Sequence, residues 1–466
     1  MKGRGMNDNN PAIRSLLTVI CTALLAVVLL CLIFFRQTDF IDLEKRYREK
    51  WPEFTSGNFL NGEWGRQVDA WISDNMPARE LLTGINAYFT YATGRQPAQD
   101  IITDKTGRLL ESPTKYAEAD LSRRLAKIST FAETQKNGAL LIVPPTAGYS
   151  SKTSLPGHVW RCYRDDEIFG AVISEAARVY TCEGFDAVGA TAGNVAVETA
   201  AGSGLGFVDL REQFMNASAP YFYRTDHHWN GAGVYAAYSA VCNALDITPL
   251  FSDKYSITGF GGFFGANYAL GGLWLTRPDD IELWAPPCVA RVTISDSVSI
   301  GDGGELRLDG ESVYDSLFFE ERLKERDMYP VFLDGNHALT IIENLSFGVD
   351  AGAAGDTFGK ATGLLNDIAA DETNDEIAGG LAADTKGEPN ACGENTLLVV
   401  KDSYGNSLVP LLVPHFKTIY MVDLRYFRAP VSDLTTAIGY HEAEMPALFV
   451  YSANHIVNDP DIIWLR

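Results

Sequence analysis

Thr396-Leu-Leu-Val-Val-Lys-Asp-Ser-Tyr-Gly-Asn406 reads as a buried strand ending in a sharp turn that carries Ser403. The apolar run 397–400 is short and partly β-branched, the pattern of a strand covered on both faces. Tyr404-Gly-Asn-Ser-Leu408 then turns toward a short helix before Pro414. A serine at such a junction stands at the mouth of an α/β sheet. Backbone N–H groups and the helix N-terminus there can stabilise an oxyanion.

A serine hydroxyl is a weak nucleophile at neutral pH and needs a base within hydrogen-bond reach. Asp226-His227-His228-Trp229 supplies an imidazole and a carboxylate. The imidazole titrates near the working pH, and the carboxylate fixes its tautomer and stabilises the cation formed during attack. Asn230 is placed to cap a helix running through 234–245. In an extended loop residues i and i+2 point the same way, which pairs Asp226 with His228 and turns His227 elsewhere. The rival chemistry is a metal site on Asp226, His227 and His228. Adjacent histidines seldom converge on one ion, and the remaining histidines (158, 337, 415, 441, 455) are scattered, so no metal is assigned. An Asp before a helix also serves as a plain cap.

The Asp-His-His-Trp string resembles the signature of the DHHW family. That family is similar to the alginate O-acetyltransferase proteins, whose SGNH-hydrolase-like domain carries an Asp-x-His-Trp motif and a later serine. The resemblance implies an α/β fold with a central parallel sheet flanked by helices. It implies Asp226 and His228 as the acid–base pair and Ser403, in Lys401-Asp-Ser-Tyr404, as the nucleophile. The acid and base precede the serine, the order of the alginate-type proteins and the reverse of ordinary SGNH hydrolases. Asp74-Asn-Met-Pro-Ala-Arg79 resembles an early family segment, and Leu140-Leu-Ile-Val-Pro-Pro145 its first strand and turn. Tyr420-Met-Val-Asp-Leu-Arg425 and Leu448-Phe-Val-Tyr-Ser-Ala-Asn454 resemble later strands. These put Arg425 and Asn454, with Tyr404 and Trp229, among the expected oxyanion or substrate-binding residues. Thr146 stands where relatives often have lysine, and Lys401 replaces the glycine of the Gly-Asp-Ser block.

Residues 16–35 form a 20-residue uncharged run, bounded by Arg14 and Arg36. That length spans a bilayer core of about 30 Å as a helix. Lys2, Arg4 and Arg14 outnumber Asp8 in the short head, which orients the head (1–14) to the cytoplasm and the remainder outside. No small-x-small cleavage site follows Phe35, so an anchor over 15–36 is expected rather than a removed leader. A stalk over 37–60, with a helix through Asp42-Leu-Glu-Lys-Arg-Tyr-Arg-Glu-Lys50, then leads to the main domain, 61–466.

The chain has 466 residues and a net charge of −22, which excludes binding to a nucleic-acid backbone. Seven cysteines without Cys-x-x-Cys make no disulfide framework at this size; Cys162 and Cys182 are a possible pair, free buried thiols being the default. Helical patterns at 65–90, 119–136 and 165–180 alternate with strands at 140–143, 185–188 and 207–210. Gly259-Phe-Gly-Gly-Phe-Phe-Gly-Ala-Asn267 reads as an aromatic-lined loop and lacks the Lys-Ser/Thr of a P-loop, so no nucleotide or other cofactor is expected. Alternating runs within 281–345, such as Val289-Ala-Arg-Val-Thr-Ile-Ser295, predict antiparallel strands inserted before the serine. Low-complexity insertions are expected near 189–206 and 350–394.

The resemblance implies O-acetylation of an exported polysaccharide or cell-wall polymer. It also implies a membrane-bound O-acyltransferase partner that passes acetyl groups outward. If water accepts the acyl group instead, the same residues make an esterase or deacetylase. A non-catalytic polysaccharide-binding or assembly protein is the alternative outside enzymology.

Overall fold

The computed structural model describes residues 39–41, 46–93, 101–104, 106–111, 118–145, 205–210, 220–301, 304–348 and 395–465, with short pieces among 15–30 and 213–217. They fall into two compact units, one within 1–103 plus 266–276 and one within 104–265 plus 277–466.

The second unit is built on an eight-stranded sheet. The run of apolar residues before Ser403 forms a fully buried strand inside it, flanked on both sides by other strands. In this unit β1 is Ala139–Ile142, β2 Leu205–Val208, β3 Ser256–Phe263, β4 Asp279–Ala285, β5 Ala290–Ser295, β6 Ser312–Tyr314, β7 Leu339–Asn344, β8 Thr396–Lys401, β9 Thr418–Val422 and β10 Ala447–Val450. Its helices are α1 Glu118–Thr134, α2 Gly231–Ala244, α3 Tyr404–Leu412, α4 Val431–Ala437 and α5 Ala453–Asn458. The sheet order is β6-β5-β7-β9-β8-β10-β1-β2. From β9 to β2 neighbours run parallel, with Leu397 opposite Ile419, Val399 opposite Leu448, and Leu448 opposite Leu140.

The other half corrects the expectation of a parallel sheet. β7 runs antiparallel to both β9 and β5, and β5 antiparallel to β6. The alternating runs of 281–345 therefore do not form a separate insert; three of these strands extend the central sheet. Their alternation marks strands covered on one face, which antiparallel pairing tolerates. All six residues of β8 are buried, matching its unbroken apolar run.

Helix α1 turns Leu121, Leu125, Ile128 and Phe131 into the core, at helical spacing. Phe131 meets Phe449 of β10 edge to face at 5.7 Å. At the other end of β8, Lys401 is 2% exposed, and its ammonium donates to Asn336 Oδ1, Asn406 Oδ1 and Asp423 Oδ2 at 2.9, 2.7 and 3.3 Å. Three donors with three acceptors make a buried lysine tolerable. Burial draws its pKa down, against the pull of Asp423.

The glycine-rich stretch from 259 is not a loop. It lies largely in β3, which pairs antiparallel with β4 and shifts register between Gly261 and Phe263. Gly262 has φ +94°, a conformation glycine supplies without strain. Glycine's low strand propensity hid this strand; its partner β4 stabilises it.

In the first unit, Phe40–Ile41 pairs with Arg46–Tyr47 where a stalk helix was expected. The helical pattern of 65–90 is two helices, Glu63–Asn75 and Arg79–Ala92. Pro77 and the left-handed Ala78 (φ 53°) separate them. Asp74 and Arg79, from the Asp-x-x-Pro-x-Arg segment, face each other at 3.9 Å. Among the described residues no helix is long and apolar enough to cross a membrane. Half of the residues of the expected anchor lie outside the described ones. So do the readings at 165–180 and 185–188, Cys162 with Cys182, and the insertions, except that Leu205 and Gly206 belong to β2.

A Cβ added at Gly405 would lie 2.7 Å from Lys401 Cβ and 3.0 Å from its Cγ. Gly405→Ala is expected to destabilise the protein by about 1–3 kcal/mol, the usual cost of overpacking, measured by urea unfolding.

Candidate active site

The loop that carries the acid and base is tied down before it presents them. Phe222 bridges Trp229, Tyr223 N–H donates to the His228 carbonyl at 3.2 Å, and Asn230 N–H to the Tyr221 carbonyl at 2.9 Å. The carboxylate of Asp279 accepts from the backbone N–H groups of Arg224 and Thr225 and from the Thr225 hydroxyl, at 2.7, 2.8 and 2.6 Å. Asn230 caps α2 by accepting from Gly233 N–H, as its position predicts.

Inside this loop Asp226 Oδ1 accepts from His228 N–H at 2.8 Å and from His228 Nδ1–H at 2.5 Å. The pairing comes from a turn closed by the Asp226 side chain, not from an extended strand. Gly265 packs against the carboxyl; a Cβ there would fall 2.1 Å from Asp226 Oδ2. With its Nδ1 proton held by a carboxylate, His228 presents Nε2 as acceptor. The Ser403 hydroxyl donates to it at 2.7 Å. The structure thus brings Asp226, His228 and Ser403 into one chain of hydrogen bonds across 175 residues of sequence.

Burial holds the His228 pKa down at about 4, helped by neighbouring His227 and opposed by Asp226. The ring is therefore neutral, and a base, at neutral pH. Burial alone would raise Asp226, but the histidines and their hydrogen bonds keep it well below the usual carboxylate range. Burial would lower His227, yet Asp226 and Glu111 outweigh it and raise its pKa. His227 Nδ1 lies 3.6 Å from Glu111 Oε1.

One ligand atom from each of Asp226, His227 and His228 lies within 4.8 Å of the others, which suits a metal. Seating an ion on His228 would require freeing Nδ1 from Asp226 or Nε2 from Ser403. The three residues fit the proton relay better.

Two groups that the sequence did not single out complete the site. The Tyr329 ring stacks on the His228 ring, with centroids 3.7 Å apart and planes 10° from parallel. Its hydroxyl donates to the Ser403 carbonyl at 3.0 Å and is 3.0 Å from Ser407 Oγ. Nothing in Met328-Tyr-Pro-Val marks Tyr329 out. Ser407 one turn along α3 is visible only once the helix is known.

The remaining expected residues take other places. Trp229 is fully buried and donates through Nε1 to Ser407 Oγ at 2.8 Å, so it supports the serine helix and does not face a substrate. Tyr404 is buried too. Its N–H goes to Asp402 Oδ1 at 2.9 Å and its O–H to the His227 carbonyl at 2.6 Å, which leaves neither free for an oxyanion. The Ser403 N–H, by contrast, has no hydrogen-bond partner among the described residues. Arg425 forks onto Asp423 at 2.8 and 2.5 Å and donates to His455 Nε2 at 3.3 Å. Asn454, in the first turn of α5, accepts from Asn458 at 2.6 Å. Both line a cavity beside the serine turn, apart from the Ser403 hydroxyl.

A serine on a strand-to-helix turn, relayed through a neutral imidazole to a buried carboxylate, is the arrangement of an SGNH-like hydrolase or acyltransferase. Residues 186–256, which include the Asp-His-His-Trp loop, match the family model for the SGNH hydrolase-like domain of the acetyltransferase AlgX. The fold is similar to that of a DHHW family protein from Eubacterium siraeum, with a TM-score of 0.50 and 17% identity over 78% of this chain and 93% of that one. It is also similar to Bacillus cereus PatB1, solved with a sulfonyl adduct, with a TM-score of 0.51 and 16% identity over 78% of this chain and 97% of that one. At such identities the likeness concerns the fold. No curated protein matches the chain in sequence.

Because a Cβ on residue 265 meets the Asp226 carboxyl, Gly265→Ala is expected to displace the acid. Acylation of the protein by 4-nitrophenyl acetate, followed by nitrophenolate release, should slow by about 100-fold, the scale of an ångström misplacement.

Proposed function

We propose that the chain is a membrane-anchored, extracytoplasmic O-acetyltransferase acting on an exported polysaccharide or cell-wall polymer. The observation that carries this reading is the 2.7 Å contact between the Ser403 hydroxyl and His228 Nε2, backed by the 2.5 Å contact from His228 Nδ1 to Asp226. The match to the AlgX acetyltransferase domain supports acetyl as the group transferred.

Ser403 Oγ attacks the carbonyl carbon of an acetyl donor while its proton passes to His228 Nε2. Asp226 holds the imidazolium that forms. The Ser403 N–H, at the start of α3, donates to the oxyanion. Collapse expels the donor's leaving oxygen, which takes the proton from His228 and leaves an acetyl ester on Ser403. A sugar hydroxyl then gives its proton to the same nitrogen and attacks the ester. Ser403 departs and is reprotonated. Water in place of the sugar gives an esterase with the same intermediate.

The uncharged run 16–35 and its basic flanks support an anchor with a cytoplasmic head. An acetyl donor made inside the cell then requires a membrane-bound O-acyltransferase partner to deliver the group outward.

Incubating the full-length protein in detergent with 4-nitrophenyl acetate at about pH 6, followed by an acid quench, should give one added acetyl on the peptide containing Ser403, read by mass. Ser403→Ala should abolish the label with an unchanged near-ultraviolet circular dichroism spectrum. A label elsewhere, with Ser403 untouched, overturns the reading. The base must be neutral to act, and its pKa is held at about 4. The acylation rate should therefore rise through pH 4 and be flat by pH 6, where an unperturbed histidine would still be titrating.

A further inference from the structure

Beside the serine turn lies a cavity of about 400 Å³, within the range of small-molecule sites. Arg425, Asn454, His455, Asn458, Asp459 and Asp461 line it. Its position follows from the sheet. Arg425 comes after β9, Ser403 after β8, and Asn454 and His455 after β10, and these three strands are adjacent and parallel. Cavity and nucleophile therefore share one carboxyl edge, where α/β sheets bind their ligands. They are also joined chemically. Asp402 Oδ2 accepts from Ser452 N–H at 2.7 Å and lies 3.0 Å from His455 Nδ1, while Oδ1 accepts from Tyr404 N–H.

One wall group is incomplete. Asp459 is 5% exposed, and its Oδ1 accepts from Asp461 N–H at 2.8 Å. Its Oδ2 is buried with no hydrogen-bond partner. A buried carboxylate oxygen without a donor is costly, so a ligand that brings one is favoured. The other walls narrow the class. Planar amides, carboxylates and a guanidinium suit paired hydroxyl groups. Pro460 is the one apolar side chain among the lining residues, which disfavours an apolar ligand. Asp423 neutralises Arg425, and Asp459 and Asp461 repel anions, which disfavours a phosphate or a polyanion.

We propose that this cavity binds an uncharged, hydroxyl-bearing saccharide unit of the acceptor polymer, with the Asp459 carboxyl turning so that Oδ2 accepts from a sugar hydroxyl. The proposal rests on the acyl-transfer reading for its purpose, but binding itself does not require a working Ser403.

The test is isothermal titration of full-length protein with cellotetraose and, separately, N-acetylated chitotetraose. Wild type and Ser403→Ala should bind at least one of them equally well. Asp459→Asn keeps an oxygen for the Asp461 cap and should weaken that binding roughly tenfold, the scale of a lost hydrogen bond to a charged group. Asn458→Ala, on an exposed residue, should weaken it too, whereas the exposed Asp309→Asn should not. No binding of either probe by wild type, or binding indifferent to both cavity variants, overturns the proposal. If Ser403 fails to acylate while Asp459→Asn still loses the saccharide, the acyl-transfer reading falls and the cavity assignment stands. If Ser403 acylates but both probes are ignored, the reverse holds.

Discussion

The carboxylate of Asp402 holds the functional edge of the sheet together. It sits fully buried between the ends of β8 and β10. Burial would raise its pKa, but the His455 contact and the N–H groups of Ser452 and Tyr404 keep it well below the usual carboxylate range. A buried charge survives only when its acceptors are filled. Here the filling groups come from the turn after one strand and the turn after its neighbour. Asp402 therefore fixes the serine turn relative to β10, and the direction of Ser403 follows.

Much of this was legible in sequence because it depends on short-range pattern. The apolar run before Ser403 read as a buried strand, and the cap at Asn230 located α2. The choice of His228 over His227 came out as the geometry has it, though by a side-chain turn that periodicity does not describe. The antiparallel half of the sheet was legible as strands but not as part of the central sheet, since pairing partners lie far apart in the chain. The glycine-rich strand was missed because local propensity pointed to a loop, and pairing with β4 overrode it.

The groups around the relay show what one-dimensional reading leaves out. Tyr329 reaches the site from 74 residues before Ser403 and stacks on the base. Trp229 was expected at the substrate and instead braces Ser407 from within the core. Each is an ordinary aromatic residue in sequence; its part is set by the ring or hydroxyl that packing places opposite it. Lys401 looked like a departure from a glycine position, yet it is the hub of a filled polar cluster beneath the turn.

The mixed sheet has a temporal consequence. Its central strand β8 and both neighbours, β9 and β10, lie in the last 71 residues, whereas β1, which pairs with β10, is made some 300 residues earlier. During synthesis the early strands wait with open edges until the C-terminal segment emerges to close them. Contacts so distant along the chain make for slow folding and prolonged exposure to misassociation. The same arrangement means that a nascent chain holds its acid and base long before it holds a nucleophile, so an unfinished chain cannot assemble the Asp226–His228–Ser403 relay.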